Sequence, residues 1–384
     1  MHDPSSGLSQ SLFNIRGVYQ YVVTAWPRRL VPRYTMLVYL DTEADSTARD
    51  LASNVCEQRS YLAHLLPAIA ARDPAVIVVD KFFTEAGCRS ASATEELRRA
   101  VAEVSRRVPV VVALRIKDQS RSESDPNAPY AIDPPVSFAP SRHLKEGIVN
   151  VDTDSRRLAL GWTIKRDPGS AAAWHSTLAL VTAEAYDAKL RIKYPGLEEL
   201  IVKRGAPFLS LIPSDRFVIY HAGDLVCGVE PRPPALDGRC ANRPTAPTDL
   251  DYLRGRIVVF GQVSPDMDWH STVVGRIPGV VLQANYVEAL LDERYFKTVP
   301  EWVNYVLGFL FFVAIEASLR QRSTFACLGG VVSVVILTFL LLTLIARHVG
   351  YFVNPVTISA FILVLKLITW LNERISKRED HAPT

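Results

Sequence analysis

Charge of one sign is the first thing this chain lacks. Its 43 Lys and Arg stand against 40 Asp and Glu, a formal +3 over 384 residues, with the signs interspersed. A nucleic-acid partner calls for a concentrated basic stripe, so nucleic acid is not an expected partner, and no acidic solvating tail is present either. Catalytic signatures are missing as well: there is no Gly-x-Ser-x-Gly elbow, no Gly-x-x-x-x-Gly-Lys loop, no His-Glu-x-x-His helix and no Cys-x-x-Cys pair. Those absences weaken an enzymatic reading without eliminating it. The expectation is a protein that is not an enzyme and needs no cofactor, with metal binding left open. An export leader is also lacking. The stretch Ser11–Trp26 is weakly apolar, is interrupted by Asn14, Arg16 and Gln20, and has neither a basic start nor a small-residue cleavage site. Leu12, Ile15, Val18, Tyr19 and Val22 instead fall at helical spacing and predict an amphipathic surface helix within an amino-terminal segment, 1–34.

What is abundant is apolar sequence near the carboxyl end. Trp302–Leu319, Phe325–Ala346 and Phe352–Leu371 follow one another closely, and Lys366 is the only Lys or Arg inside them. Each approaches the roughly 20 apolar residues that span a bilayer. They predict three transmembrane helices over 301–371, a lipid bilayer as partner, and a charged tail, 372–384. Arg320 and Arg322 follow the first segment and Arg374, Lys377 and Arg378 the third, whereas Arg347 beside His348 is all that the intervening loop offers. Cytoplasmic loops are the basic ones, so the tail is assigned to the cytoplasm of a bacterial-type plasma membrane. An odd number of spans puts the body on the other side. A body so placed needs an export signal or an earlier span; either the natural start lies upstream, the preferred reading, or the body is cytoplasmic.

That body, 35–300, reads as an α/β layered fold with a mostly parallel sheet flanked by helices. Tyr34–Leu40, Ala75–Val79, Pro109–Leu114 and Arg256–Phe260 are continuous β-branched or apolar runs, the pattern of strands covered on both faces. Helical spacing over Tyr61–Ala71 and Thr94–Arg106 precedes the second and third runs, giving the alternation that crossover units require. Leu144–Leu160 predicts a strand pair and Ala171–Leu190 a helix. Asp118–Ser141 reads as a polar, Pro-rich loop or lid, and Pro231–Asp249 as irregular. The helix Val280–Leu291 is expected to run on through Asp292 to Val299, joining body to membrane almost without a linker. No internal repeat is visible.

Of five cysteines, Cys327 lies in the second apolar segment, where it reads as a packing residue. Cys227 and Cys240 bracket a Pro- and Gly-rich loop that a disulfide would stabilise by about 3 kcal/mol on the loop-entropy model. Cys56 and Cys88 form a second bond or remain two buried thiols; spacing alone does not choose. Four cysteines in the body hint at an oxidising compartment.

Ligands of open parallel sheets sit outside the carboxyl ends of the strands. Asp41 follows the first run, Asp80 the second, and Asp266, Asp268 and His270 the run ending at Phe260. If those strands are neighbours, these residues gather at one edge, where they can hold a cation, perform acid/base chemistry, or cap turns and helices. Asp268-Trp-His270 sets a titratable ring beside a carboxylate. Arg59, just ahead of the helix expected from Tyr61, can receive an anion at a helix amino end or serve as a salt-bridged surface group.

Taken together, Cys56-Glu-Gln-Arg-Ser-Tyr-Leu-Ala, Asp73-Pro-Ala-Val-Ile-Val-Val-Asp80, Leu253-Arg-Gly-Arg-Ile-Val-Val-Phe-Gly261, Asp268-x-His270-x-Thr272 and Ile277-Pro-Gly-Val-Val-Leu-Gln-Ala-Asn285, followed by apolar spans, resemble the second type of CHASE sensory domain, over about residues 35 to 371. The resemblance implies an extracytoplasmic sensory domain upstream of three spans, in a family that feeds cyclases, histidine kinases or serine/threonine kinases. It supplies no established catalytic set. The chain ends shortly after the third span, which implies a stand-alone sensor that signals through its bundle to a separate effector protein, with a homodimer expected. Two rival readings are a non-sensing scaffold that recruits a cytoplasmic partner and a membrane-bound hydrolase that uses the acidic edge.

Overall fold

The computed structural model describes residues 30–42, 51, 54–117, 129–151, 158–165, 171–202, 205–206, 208–227, 250–264, 268–272, 274–319, 324–349 and 351–352. The chain divides into two compact units, Arg29–Tyr295 and one that holds the two long helices after Phe296.

The larger unit is built on six strands: β1 (Thr35–Asp41), β2 (Val76–Asp80), β3 (Val110–Leu114), β4 (Leu144–Ile148), β5 (Ile219–His221) and β6 (Ile257–Val263). They form one sheet in the order β5-β1-β6-β2-β3-β4, and every neighbouring pair is parallel. Helices α1 (Val55–Ala70), α2 (Ala91–Val104), α3 (Leu178–Tyr186), α4 (Ala222–Cys227) and α5 (Gly279–Leu291) cover it. Met36, Val38, Ile77, Val79, Val110, Val112 and Val258 pack on one face with α1, α2 and α4. Leu37, Val76, Val78, Val111 and Val259 pack on the other with α3 and α5. Successive side chains of a strand point to opposite faces. Because both faces are covered, the strands read as unbroken apolar runs, and each fully buried Val or Leu contributes about 1.5–3 kcal/mol.

Local chemistry sets the element ends. Asn54 caps α1, its Oδ1 accepting from the amides of Cys56 and Glu57 at 3.1 and 3.3 Å, so the helix begins at Val55 rather than near Tyr61. The helix expected over Ala171–Leu190 is instead a strand, Ala173–Ser176, followed by α3. Thr177 starts α3, its hydroxyl accepting from Leu180 N, while Ala173–Ser176 pairs antiparallel with Gly161–Lys165. Of the strand pair expected in Leu144–Leu160, one half is β4 in the main sheet, and Leu158–Ala159 pairs antiparallel with Gly205–Ala206. The helix expected to continue to Val299 ends at Leu291; Glu293 adopts φ 52°, a left-handed conformation that no helix can propagate through, and Tyr295–Thr298 is extended.

Two fastenings hold the larger unit. Glu288, wholly buried on α5, accepts from the amides of Arg33, Tyr34 and Thr35 at 2.8–3.1 Å and from the Thr35 hydroxyl at 2.9 Å. A buried carboxylate persists only when its lone pairs are filled in this way. Cys56 and Cys88 are disulfide-bonded, with Cα atoms 5.0 Å apart, tying the start of α1 to the turn before α2. Cys227 is also disulfide-bonded, whereas Cys240 lies outside the described residues.

The second unit contains α6 (Glu301–Leu319) and α7 (Thr324–Val349), with Lys297 and Thr298 pairing parallel to Tyr351 and Phe352. Counted over the described residues alone, no helix is long and apolar enough to cross a membrane. The outward faces of both helices are nevertheless apolar: Trp302 is 66% exposed, Leu310 57%, Phe325 89% and Leu337 68%. Beyond Phe352, the expected third segment, Phe352–Leu371, falls outside the described residues, as do the expected surface helix of 1–34 and the tail.

Replacing Glu288 with Gln removes one charged acceptor site from a cradle of backbone amides and is expected to cost about 2–3 kcal/mol in urea unfolding. Losing the Cys56–Cys88 bond, which closes a separation of 32 residues, is expected to cost about 3–4 kcal/mol, read as a lower urea midpoint for a Cys56→Ala/Cys88→Ala variant than for the native chain, with both kept oxidised so that the bond at Cys227 is intact in each.

Candidate functional site

Inserting β6 between β1 and β2 makes neighbours of strands that are remote in sequence. Asp41 ends β1 opposite Val263, and Gly261 of β6 sits opposite Asp80 at the end of β2. Past β6 the chain forms a hairpin of β7 (Trp269–Thr272) and β8 (Gly275–Pro278), which pairs His270 with Ile277 and leads directly into α5. Gly261 is required here because a Cβ would meet the Val280 side chain at 2.6 Å; its absence lets the first turn of α5 lie against the sheet.

The carboxyl ends of the strands border a cavity of about 420 Å³. Each strand end contributes in turn: Asn150 after β4, Arg115 after β3, Asp80, Lys81 and Phe82 at β2, Gln262 and Ser264 at β6. Asp268 and His270 line it from the hairpin, and Gly279 and Gln283 from α5. Burial first, and then the nearby Asp268 carboxylate, push the Asp80 carboxyl up to about 8, with Lys81 opposing. Lys81 is shifted down by burial, Asp80 opposing, and its Nζ donates to Gln262 Oε1 at 2.5 Å. Arg115 donates through Nε and Nη2 to Asp133 Oδ2 at 2.8 and 2.7 Å, and its guanidinium lies 5.2 Å from the centre of the Phe82 ring.

Asp268 has φ 56°, and its Oδ1 is 3.0 Å from His270 Nε2. Its backbone carbonyl accepts from Gly279 N at 2.8 Å, and a Cβ on Gly279 would collide with its carboxylate. The Asp268 side chain thus lies at the amino terminus of α5, where the helix dipole favours a negative group. Gln283 is only 4% exposed; its Nε2 donates to Val149 O at 2.7 Å, while its Oε1 has no hydrogen-bond partner.

Asp80, Asp268 and His270, proposed from sequence, therefore meet at this cavity. Asp41 closes the adjacent strand end but is not among the described lining residues, and Asp266 lies outside the described residues. Arg59 is elsewhere. It lies within α1 rather than ahead of it, wholly buried, donating to Thr94 Oγ1 at 2.5 Å and to the Thr84 carbonyl, with Phe83 beneath its guanidinium. It ties α1 to α2 beside the disulfide, and an anion at a helix amino end is not what this position offers. Among the described residues no group of three His, Cys, Asp or Glu is arranged to hold a metal ion.

Sequence reasoning passed over Lys81, Arg115, Asn150 and Gln283. The first three follow directly from the rule that led to Asp80, since each lies one or two residues past a strand end. Gln283 carries no such signal, being one polar residue in an apolar helix.

In a doubly wound α/β domain the carboxyl edge of the sheet is where a cavity forms between the strand ends. The model of the CHASE2 domain matches residues 12–317, and the chain belongs to that family of sensory domains. No curated protein and no solved structure matches it.

Gly279→Ala is expected to push Asp268 off its position and to destabilise by about 1–3 kcal/mol. Because the clash is with the Asp268 carboxylate itself, the cost should largely vanish in the Asp268→Gly background, a non-additivity that a double-mutant cycle in urea reads directly.

Proposed function

We propose that this chain is a non-enzymatic membrane receptor whose CHASE2 unit binds a small polar ligand at the strand-end cavity and passes a conformational bias through membrane helices to a separate effector protein. The observation that carries the reading is the cavity itself: a space of about 420 Å³, lined by charged and polar groups from four strands, a hairpin and a helix, within a sensory-domain family. Its size falls inside the roughly 300–1,000 Å³ usual for small-ligand sites.

The membrane part of the proposal rests on α6 and α7, which present Trp302, Phe309, Leu310, Phe325, Leu337 and Leu340 outward; in water such surface is an association liability, and in lipid it is solvated. The sequence Phe352–Leu371 is of similar apolarity and is the third span in this proposal. The Cys56–Cys88 bond favours an oxidising, extracytoplasmic compartment for the sensory unit. A ligand shifts such a receptor only as far as its affinities for the two states differ, and a homodimer gives helices a partner against which to rearrange. The covalent path from α5 to α6 is short, Leu291 to Glu301.

Reporter fusions test the topology. Fusions after Arg322 and at Thr384 are expected to report the cytoplasm and a fusion after Gly350 the outside; a cytoplasmic Gly350 fusion, or cytoplasmic labelling of the body, overturns the extracytoplasmic sensor.

A further inference from the structure

The cavity's polar groups are unevenly satisfied, and the imbalance specifies a ligand. Three oxygen acceptors face a shortage of donors. The Asp80 carboxyl has no hydrogen bond among the described residues, and Asp268 lies close enough to oppose its ionisation. Gln283 Oε1 is buried without a partner; buried polar atoms are rarely left so, and an unmet acceptor carries a desolvation penalty that a ligand donor removes. Donors are present as well. Lys81 has three N–H groups, one of them engaged by Gln262, and Arg115 directs Nε and Nη2 to Asp133, leaving further N–H groups of its fork.

Arg115 and the Asp268 hairpin lie on opposite sides of β2, and Lys81, at the end of β2, reaches Gln262 of β6. Arg115 follows β3 and the Asp268 hairpin follows β6, and β2 lies between those strands. At about 5 Å per strand, the strand ends are about 10 Å apart, a gap that side chains close onto a molecule only a few ångströms long. We propose that the cavity takes a small zwitterion of the α-amino acid class, its ammonium received by Asp80, Asp268 and Gln283 Oε1 and its carboxylate by Arg115 and Lys81. This rests on the sensory reading of the same site and names what it senses. A polyanion such as a nucleotide would face the carboxyl pair. A neutral sugar brings no positive charge to the two carboxyl groups, and among the described residues no three His, Cys, Asp or Glu are arranged to hold a metal ion. An ammonium meets all three acceptors with three donors.

One consequence is linkage to protons. In the empty cavity, Asp80 holds its proton up to pH of about 8, because burial and Asp268 outweigh Lys81; the imidazole of His270, beside Asp268, and Arg115, paired with Asp133, are the other ionisable groups around it. A bound ammonium favours the ionised carboxylate, so binding releases a proton. Affinity therefore rises with pH, by up to about tenfold per unit below 8, and flattens above it.

The test uses the full chain in lipid nanodiscs, screened by thermal shift against the standard L-amino acids, with simple sugars and carboxylic acids alongside. The best amino acid is then compared by calorimetry with its deaminated and decarboxylated counterparts. Expected are stabilisation by at least one amino acid, loss of binding on removing either charged group, weakening by about tenfold or more in Asp80→Asn, and loss of the pH dependence in that variant. Binding that survives removal of the amino group, or that is unchanged in a folded Asp80→Asn protein, overturns the inference. Stabilisation by a sugar or a simple acid alone overturns it while leaving the sensory function standing; stabilisation by no compound removes both.

Discussion

Glu288 is the constraint on which the rest of the larger unit depends. A carboxylate with no exposure to water is stable only if the protein replaces every hydrogen bond that water would have made, and the amides of Arg33, Tyr34 and Thr35 with the Thr35 hydroxyl do so. The bond joins the last turns of α5 to the first residue of β1. A helix so fixed at one end presents the other at a set place, and Gly279, about 13 Å up the helix from Glu288 at 1.5 Å per residue, comes to the cavity at the far edge of the sheet. Asn285, between them, keeps the helix in register by accepting from Ile212 N and donating to the carbonyls of Ile212 and Val281.

The cavity exists because the sheet is parallel and its strand order reverses around β1 and β6. Every strand ends on the same edge, so whatever polar residue follows a strand is delivered to one neighbourhood. The apolar interior beneath keeps the dielectric low there, and the same burial that raises the Asp80 carboxyl lowers the Lys81 ammonium. Shifts of opposite sign on adjacent residues mark a place where charge is costly until something enters to balance it. Arg59 shows the contrast. It too is buried, yet Thr84, Thr94 and Phe83 enclose its guanidinium between α1 and α2, so its job is to hold the helix layer together.

The two units solve different problems with apolar residues. In the larger one, Val and Ile at alternating strand positions are hidden on both faces, and α5, which helps to hide them, is itself buried along its whole length. In α6 and α7, large apolar residues face outward as well, among them Trp302, Phe309 and Leu337. A helix apolar all round belongs in a bilayer or in the centre of a larger assembly.

Much of this was legible in the chain alone. The unbroken runs at Tyr34–Leu40, Ala75–Val79, Pro109–Leu114 and Arg256–Phe260 announced buried parallel strands, because β-branched side chains without alternation have no solvent face. Asp80, Asp268 and His270 were readable from their positions after those runs, and the family from its motifs. Local misreadings had local causes: the cap at Asn54 moved α1 forward past Arg59, and the left-handed turn at Glu293 stopped α5. By itself the sequence determined the α/β class, the CHASE2 membership and the two apolar helices after Phe296, the first two of the three it predicted there, since each depends on patterns within short stretches. Only the tertiary structure decided that β6 lies between β1 and β2, that Arg115 and Gln283 join Asp80 and Asp268 around one cavity, and that Glu288 holds β1. Those are contacts between residues as many as 253 positions apart, set by how faces fit together rather than by any local preference.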